Sequence, residues 1–507
     1  MRFRSLHLRL AAAVLAVALR AGVATAQSFT AVDAFEANGA FGLIIVPAGW
    51  NGSLFVYAHG YAADASAIQP YPADITPANL GTKLTGAEIV LAIPLHYGYA
   101  VATTTYRSAG WAVEDAYLDV DGLRRRFVRR YGPPVHTYVW GHSLGGLVAE
   151  GLVERHSRSY DGALALCAPG AGARRFFNRA WDVRAVYDEI CGAVPGAALA
   201  CGLCTDGATR CLDDGDCPAD QRCDGMEPPA AENGLGRACL DFLIGPPGGS
   251  RPDQRYDAFV LARSTACFGG ATPSAAQAAR KDLFLRATGV PAGWLGSQLF
   301  FSSVAMAEVV HRRTGGRLPW ANTRVTFPWL ELSGPEAAAL AAGIRRTVSD
   351  VSATRFLRRF YEPSAHTRAR VLTLHAVDDG IVPVAHEEKY REAFHAAGRD
   401  AQLVQVYTAG GGHCLFSAAE HIAAVLGLTG WVEQGTTPTL PALQATCADV
   451  EPLTAGPCRL MDLDPPAWGE RVPERAQAGV FPSSLACADH LGDCPADSTC
   501  GTFFRCE

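Results

Sequence analysis

One twenty-residue stretch, VHTYVWGHSLGGLVAEGLVE, constrains this chain more than any other. It holds Gly141-His142-Ser143-Leu144-Gly145 between a β-rich run, Thr137 to Trp140, and a run with helical spacing, Leu144 to His156. G-x-S-x-G in that context describes a strand that turns sharply into a helix, with the serine at the turn. The turn forces the serine into a strained backbone conformation and pushes its oxygen outward, and glycines two residues to either side remove side chains that would collide. The helix that begins at Leu144 then offers free N–H groups and its positive dipole end to developing negative charge. A five-residue match alone occurs by chance; the strand before it and the helix after it single out Ser143 as a candidate nucleophile.

The surrounding sequence predicts an α/β fold with a mostly parallel sheet. Candidate strands are Phe41 to Val46, Leu54 to Ala58, Tyr99 to Thr105, Thr137 to Trp140 and Ala163 to Cys167. Between them, Trp111 to Arg130 predicts a helix with Leu118, Leu123 and Phe127 on its core face, and Leu144 to His156 a second with Leu147, Val148, Gly151 and Leu152. The alternation stops for about two hundred residues and resumes with a strand from Arg370 to His375, a helix near Ala385 to Ala397 and a strand from Leu403 to Tyr407. This predicts a core in two pieces, 27–170 and 369–435, an insertion over 171–368 and a tail over 436–507. The insertion is too large for a loop.

Composition narrows the class. With 507 residues, 49% hydrophobic and 19% charged, the chain can bury a large core and is neither disordered nor a rod. The net charge of -6, with dispersed basic residues, gives no nucleic-acid surface. Residues 1–26 have a basic start, an apolar run from Leu10 to Leu19 and small residues through Ala24-Thr25-Ala26, the layout of a secretory signal cleaved after Ala26. That run is about half of what a membrane span needs, so a secreted or periplasmic product with no later span is expected.

The 16 cysteines fit an oxidising compartment. Eight fall between Cys191 and Cys267, six between Cys447 and Cys506, and Cys167 and Cys414 stand apart. The simplest hypothesis closes each cluster on itself and pairs Cys167 with Cys414, although spacing cannot decide connectivity. Cys201 and Cys204 have the spacing of a redox dithiol but read better as structural in so dense a cluster. GDCPAD occurs twice, at Gly215 to Asp220 and at Gly492 to Asp497, which suggests small disulfide-stapled modules without a core of their own. Asp213, Asp214, Asp216 and Asp220 could ligate calcium, yet a solvated acidic turn is the plainer reading.

A serine hydroxyl needs a general base, and the base an orienting acid. After the Arg370 strand comes HAVDDGIVP, and after the Leu403 strand TAGGGHCLF, so an aspartate and a histidine follow the serine in the order this architecture expects. His413 is the candidate base. Asp379 is preferred as acid over its neighbour Asp378, because it aligns better with the acid in similar loops that end in Val-Pro, here Val382-Pro383. The oxyanion donors expected are the backbone N–H groups of Leu144 and of Tyr61, which follows His59-Gly60 at the end of an early strand. His59 and His142 lie in the motif turns and read as structural. No H-E-x-x-H and no G-x-x-x-x-G-K-[ST] is present, so neither a metal-dependent nor a nucleotide-dependent class finds support.

GHSLGG, the His-Gly turn, DDGIVP and GGGHC together resemble the secreted bacterial serine esterases and lipases of the α/β-hydrolase superfamily, over residues 40–170 and 369–435. DGALALCAPGAG resembles a strand of exported esterases of this type. The resemblance implies an eight-stranded, mostly parallel sheet flanked by helices, a lid inserted after the sixth strand, no cofactor, and hydrolysis of carboxylic esters by Ser143, His413 and Asp379. The tannase and feruloyl esterase group is similar in placing a cysteine after the histidine, as Cys414 follows His413, but its partner cysteine precedes the serine, where this chain has His142. Cys167, at the end of the strand beside the nucleophile strand, is the expected substitute partner. Substrate choice is expected in the insertion, whose Phe176, Phe177, Trp181, Trp294, Phe300 and Phe301 could line a pocket or pack a core. A serine peptidase of the same fold and a non-catalytic binding protein are the alternatives.

Overall fold

The computed structural model describes residues 29–72, 74–75, 79, 83, 90–226, 235–249, 255–323, 332–410, 412–454 and 456–465. The expected leader, the second GDCPAD copy and four of the tail cysteines lie outside them. The chain divides into two compact units. One runs through Tyr61 and comprises Ala67–Gly172 and Pro363–Trp468; the other comprises Ala62–Ser66 and Ala173–Glu362.

The first unit is built on a sheet of nine strands: β1 (Phe29–Ala37), β2 (Ala40–Pro47), β3 (Leu54–Ala58), β4 (Ala100–Thr104), β5 (Thr137–His142), β6 (Gly162–Leu166), β7 (Arg370–Ala376), β8 (Leu403–Thr408) and β9 (Leu460–Met461). Their order is β1-β2-β4-β3-β5-β6-β7-β8-β9. The six strands from β4 to β8 run parallel, while β2 and β9 pair antiparallel with their inner neighbours. Every residue of β3, β4, β5 and β6 is buried, as expected for strands covered on both faces. This is a doubly covered α/β sheet whose sixth and seventh strands pair directly although more than two hundred residues separate them.

The longer helices described in this unit are α1 (Val113–Tyr131), α2 (Leu144–Arg155), α3 (Ala385–Ala396), α4 (Ala418–Gln434) and α5 (Leu440–Val450). α2 packs on β5 and β6, and α4 on β6 and β7. Phe55, Tyr138, Trp140, Leu164 and Leu372 share one core cluster with Leu428 and Trp431 of α4. Ser417 begins α4 with a capping box to Glu420, a signal that stood in the sequence unread.

Two expectations need correction. The sheet has nine strands rather than eight, because Leu460–Met461 of the tail adds an antiparallel edge to β8. That part of the tail is integral to the core: Leu443, Cys447 and Leu460 are buried in the main cluster. Leu118 is not a core residue of α1 but is 57% exposed. The buried stripe is Val113, Ala116, Tyr117, Val120, Leu123 and Phe127. Five residues from Leu118 to Leu123 rotate the helix by roughly 140° beyond a full turn, so the two leucines cannot share a face.

The second unit is mainly helical and has its own apolar core, including Val183, Tyr187, Leu240, Phe259, Phe268 and Phe284. Its cysteines pair within the cluster: Cys191–Cys267, Cys201–Cys239, Cys204–Cys217 and Cys211–Cys223. Cys201 and Cys204 therefore take different partners and form no dithiol. The first GDCPAD copy lies in the connection between the second and third strands of a small three-stranded sheet of Gly202–Cys204, Arg210–Cys211 and Cys223–Met226. Its aspartates serve the turn: Asp213 accepts from the Gly215 N–H, Asp214 from Cys223 and Asp216 from Leu212, and Asp216 also pairs with Arg255 at 2.5 Å. The aromatic residues pack on one another, Phe176 against Phe301 at 5.4 Å between ring centres and Phe177 and Trp181 against Trp320 at 5.9 and 6.2 Å. No helix among the described residues is long and apolar enough to cross a membrane.

Candidate active site

β5 ends at His142, α2 begins at Leu144, and Ser143 between them has φ 55° and ψ -121°. Such a backbone is costly for a residue with a Cβ and survives only where its surroundings hold it. They do so here: the Ser143 N–H donates to the Leu166 carbonyl on β6 at 2.8 Å, and the helix crosses β3 almost in contact. A Cβ on Gly145 would lie 2.0 Å from the Ala58 carbonyl oxygen, and one on Gly141 2.4 Å from the same atom. Only glycine fits at either position, which is the physical content of the motif.

The turn brings Ser143 to His413. Ser143 Oγ lies 2.9 Å from His413 Nε2, and His413 Nδ1 lies 2.7 Å from Asp379 Oδ2. Asp379 is buried, and its other oxygen accepts the Ile381 and Val382 N–H groups at 2.9 Å each. Burial pushes its carboxyl up, but His413 and, behind it, His375 outweigh this and hold it below its ordinary value. Asp378 points elsewhere and accepts the Gly412 N–H at 2.8 Å, tying down the loop that carries His413. The adjacent aspartates thus have separate tasks, one facing the imidazole and one facing the backbone beside it.

Cys414 is disulfide-bonded to Cys167, the residue after β6. Cys167 itself donates its N–H to the Leu374 carbonyl of β7 at 2.9 Å, so the histidine loop is tied covalently to the middle of the sheet. Leu144, as the first residue of α2, carries an N–H that the helix does not satisfy. The loop at Gly60 lies against the turn that carries Ser143, since a Cβ on Gly60 would stand 3.3 Å from the His142 carbonyl oxygen and 3.6 Å from Ser143 Cβ. Tyr61 follows directly on that loop.

The two histidines of the motif turns are engaged elsewhere. His59 stacks on Tyr106 with ring centres 3.8 Å apart, and burial lowers its pKa. His142 lies between Tyr57 Oη at 3.2 Å from its Nδ1 and His421 Nε2 at 2.9 Å from its Nε2. The direction of this chain follows from its far end. His421 Nδ1 faces the Ser417 carbonyl at 2.9 Å and must donate, so its Nε2 accepts from His142, whose Nδ1 in turn accepts from Tyr57. Every group is then satisfied with both rings neutral. Burial, with the facing ring as the next cause, holds His142 well below the ordinary histidine pKa, and burial also lowers His421.

Sequence reasoning passed over three residues: His421, His375 and Glu387. His375, at the end of β7, is fully buried with Nδ1 3.1 Å from Glu387 Oε1 and Nε2 2.8 Å from the Val382 carbonyl oxygen. Its one sequence signal is a histidine in the mainly apolar run VLTLHA, four residues before the aspartate.

No protein-family model matches the chain, and no curated protein sequence does. Solved structures similar to it include lipase A of Candida antarctica, at 13% identity over 80% of this chain and 75% of that one, with a TM-score of 0.38. Feruloyl esterase B of Aspergillus oryzae is similar at 14% identity over 79% and 78%, TM-score 0.33. Acylaminoacyl peptidase of Pyrococcus horikoshii is similar at 8% identity over 76% of this chain and 38% of that one, TM-score 0.35. Likeness at this level bears on neither mechanism nor substrate, which must be argued from the residues of this chain.

Proposed function

We propose that this protein is an exported serine hydrolase that cleaves carboxylic esters through a covalent acyl-enzyme. The observation that carries the reading is the unbroken line from Ser143 Oγ through His413 to the buried Asp379 carboxylate, with the serine held at positive φ beside a helix N-terminus. His413 Nε2 takes the proton as Ser143 Oγ attacks the ester carbonyl, and Asp379 stabilises the imidazolium that results. The oxyanion that forms is met by the Leu144 and Tyr61 backbone N–H groups. His413 then returns the proton to the leaving alcohol, and water repeats the cycle on the acyl group. No step in this sequence calls for a cofactor.

Export rests on the signal-like leader and on the disulfides, which persist where thiols are oxidised. The test is a short-chain p-nitrophenyl ester together with a fluorophosphonate probe, on wild type and on Ser143→Ala. Turnover and a label on Ser143, both lost in the variant, are expected; neither turnover nor label in disulfide-intact protein would overturn the proposal. Hydrolysis of peptides but not esters would move the activity to the peptidase class.

A further inference from the structure

We propose that His375 and Glu387 are positioning residues for this reaction, a buried imidazolium–carboxylate pair that continues the line Ser143–His413–Asp379 into the protein and holds the Asp379 carboxylate ionised and aimed. The proposal rests on the reading of Ser143, His413 and Asp379 given above and adds two residues behind them.

The geometry around His375 admits few protonation states. Nδ1 faces a carboxylate oxygen of Glu387 at 3.1 Å, and Nε2 faces the Val382 carbonyl oxygen at 2.8 Å with Asp379 Oδ2 at 3.6 Å. Both ring nitrogens therefore look at acceptors. A neutral imidazole carries one N–H and would point its remaining lone pair at oxygen, whereas an imidazolium donates from both sides. Glu387 is filled as a carboxylate: Oε1 accepts from His375, and Oε2 from Thr373 Oγ1 and Gln405 Nε2 at 2.6 Å each. Burial alone would lower the His375 pKa, but the two carboxylates beside it outweigh burial and raise it. The ionisable groups around the ring are Glu387 from α3, Asp379 from the loop after β7 and, across the sheet on β8, the phenol of Tyr407, which burial keeps neutral.

The pair fixes the acid loop from behind. His375 grips the Val382 carbonyl while Asp379 Oδ1 takes the Ile381 and Val382 N–H groups, so one short turn is clamped on both its faces. That leaves Asp379 Oδ2 facing His413 Nδ1 at 2.7 Å. His375 supplies the positive charge that lets this carboxylate remain ionised out of water, and Glu387 balances the charge of His375. Removing one member of such a buried pair strands the other, whereas removing both together is far less harmful.

Two measurements test this, and one needs no turnover. In Ser143→Ala protein with labelled histidine, the ¹⁵N signals of both His375 ring nitrogens should stay in the protonated range from about pH 5 to about pH 8, where an unperturbed histidine titrates. The signals are identified by their loss in His375→Gln or, if that variant does not fold, by their shift in Glu387→Gln. In otherwise wild-type enzyme, His375→Gln should lower kcat by roughly 10²-fold with KM little changed, and the His375→Gln/Glu387→Gln double variant should regain stability but not kcat, because the charge facing Asp379 is still missing. A single unprotonated His375 nitrogen at neutral pH, or a double variant whose kcat returns to within about tenfold of wild type, would overturn the proposal. Absence of turnover in the wild type would instead overturn the hydrolase reading and leave the ¹⁵N result standing on its own.

Discussion

Asp378 and Asp379 are neighbours with the same side chain, and the structure separates them by what each oxygen faces. Asp379→Asn should lower kcat by about 10³- to 10⁴-fold, because an amide facing His413 Nδ1 favours the wrong tautomer. Asp378→Asn removes only the charge from a hydrogen bond to the Gly412 N–H, so its loss should stay below about tenfold. Steady-state kinetics on the two variants decides between them, and equal losses would show that the two roles are shared. Ser143, Asp379 and His413 were legible as candidates because each stands in a short motif whose order along the chain matches the order of strands. His375, Glu387 and His421 were not, because what makes each notable is a partner supplied by folding: His375 meets Glu387 across a strand, a loop and a helix, and His421 meets His142 from 279 residues away. Leu118 misled in the opposite sense, since being apolar says nothing about which side of a helix a residue occupies.

Strand and helix patterns carried most of the sheet. β3 was read to the residue, and the other core strands within a residue or two, because strands buried on both faces are short apolar runs with clear ends. β1 was passed over: its residues are only half-buried or exposed, as suits an edge, and it carries Asp33 and Glu36. β9 was hidden for another reason, being two residues long and defined only by its pairing with β8. The turn at Ser143 gives this scale its sharpest prediction. Gly145→Ala would put a Cβ into the Ala58 carbonyl, where backbone and not a movable side chain stands in the way. A loss of about 3 kcal/mol or more is expected in urea unfolding, and a loss under about 1 kcal/mol would mean that α2 does not pass as close to β3 as described. Replacing Cys167 and Cys414 by serine should cost roughly 2–4 kcal/mol, measured as a lowered urea midpoint, by freeing the unfolded chain from a closure spanning 247 residues.

The buried histidines shape how the whole molecule responds to acid. His59, His142 and His421 all have folded pKa values below the ordinary 6.5. As pH falls through about 6.5 the unfolded chain takes up protons that the folded chain refuses, so stability is present above that value and lost below it. The limiting slope is about 1.4 kcal/mol per pH unit for each such histidine. His375 has the opposite sign: its raised pKa contributes fully below 6.5 and is lost as pH rises through the folded value, so it does not offset the acid loss. Urea midpoints should fall between about pH 7 and about pH 5.5, and less steeply in His142→Gln; a flat profile would contradict neutral buried rings. The Cys167–Cys414 bond has a further consequence, for a chain that meets proteases. It joins the two stretches that build the sheet, so one cut anywhere between these cysteines, which are 247 positions apart, leaves a single covalent molecule. Nicked protein would run as one band on a denaturing gel and part into two only when a reductant is added, and its halves would stay together through any number of unfolding events.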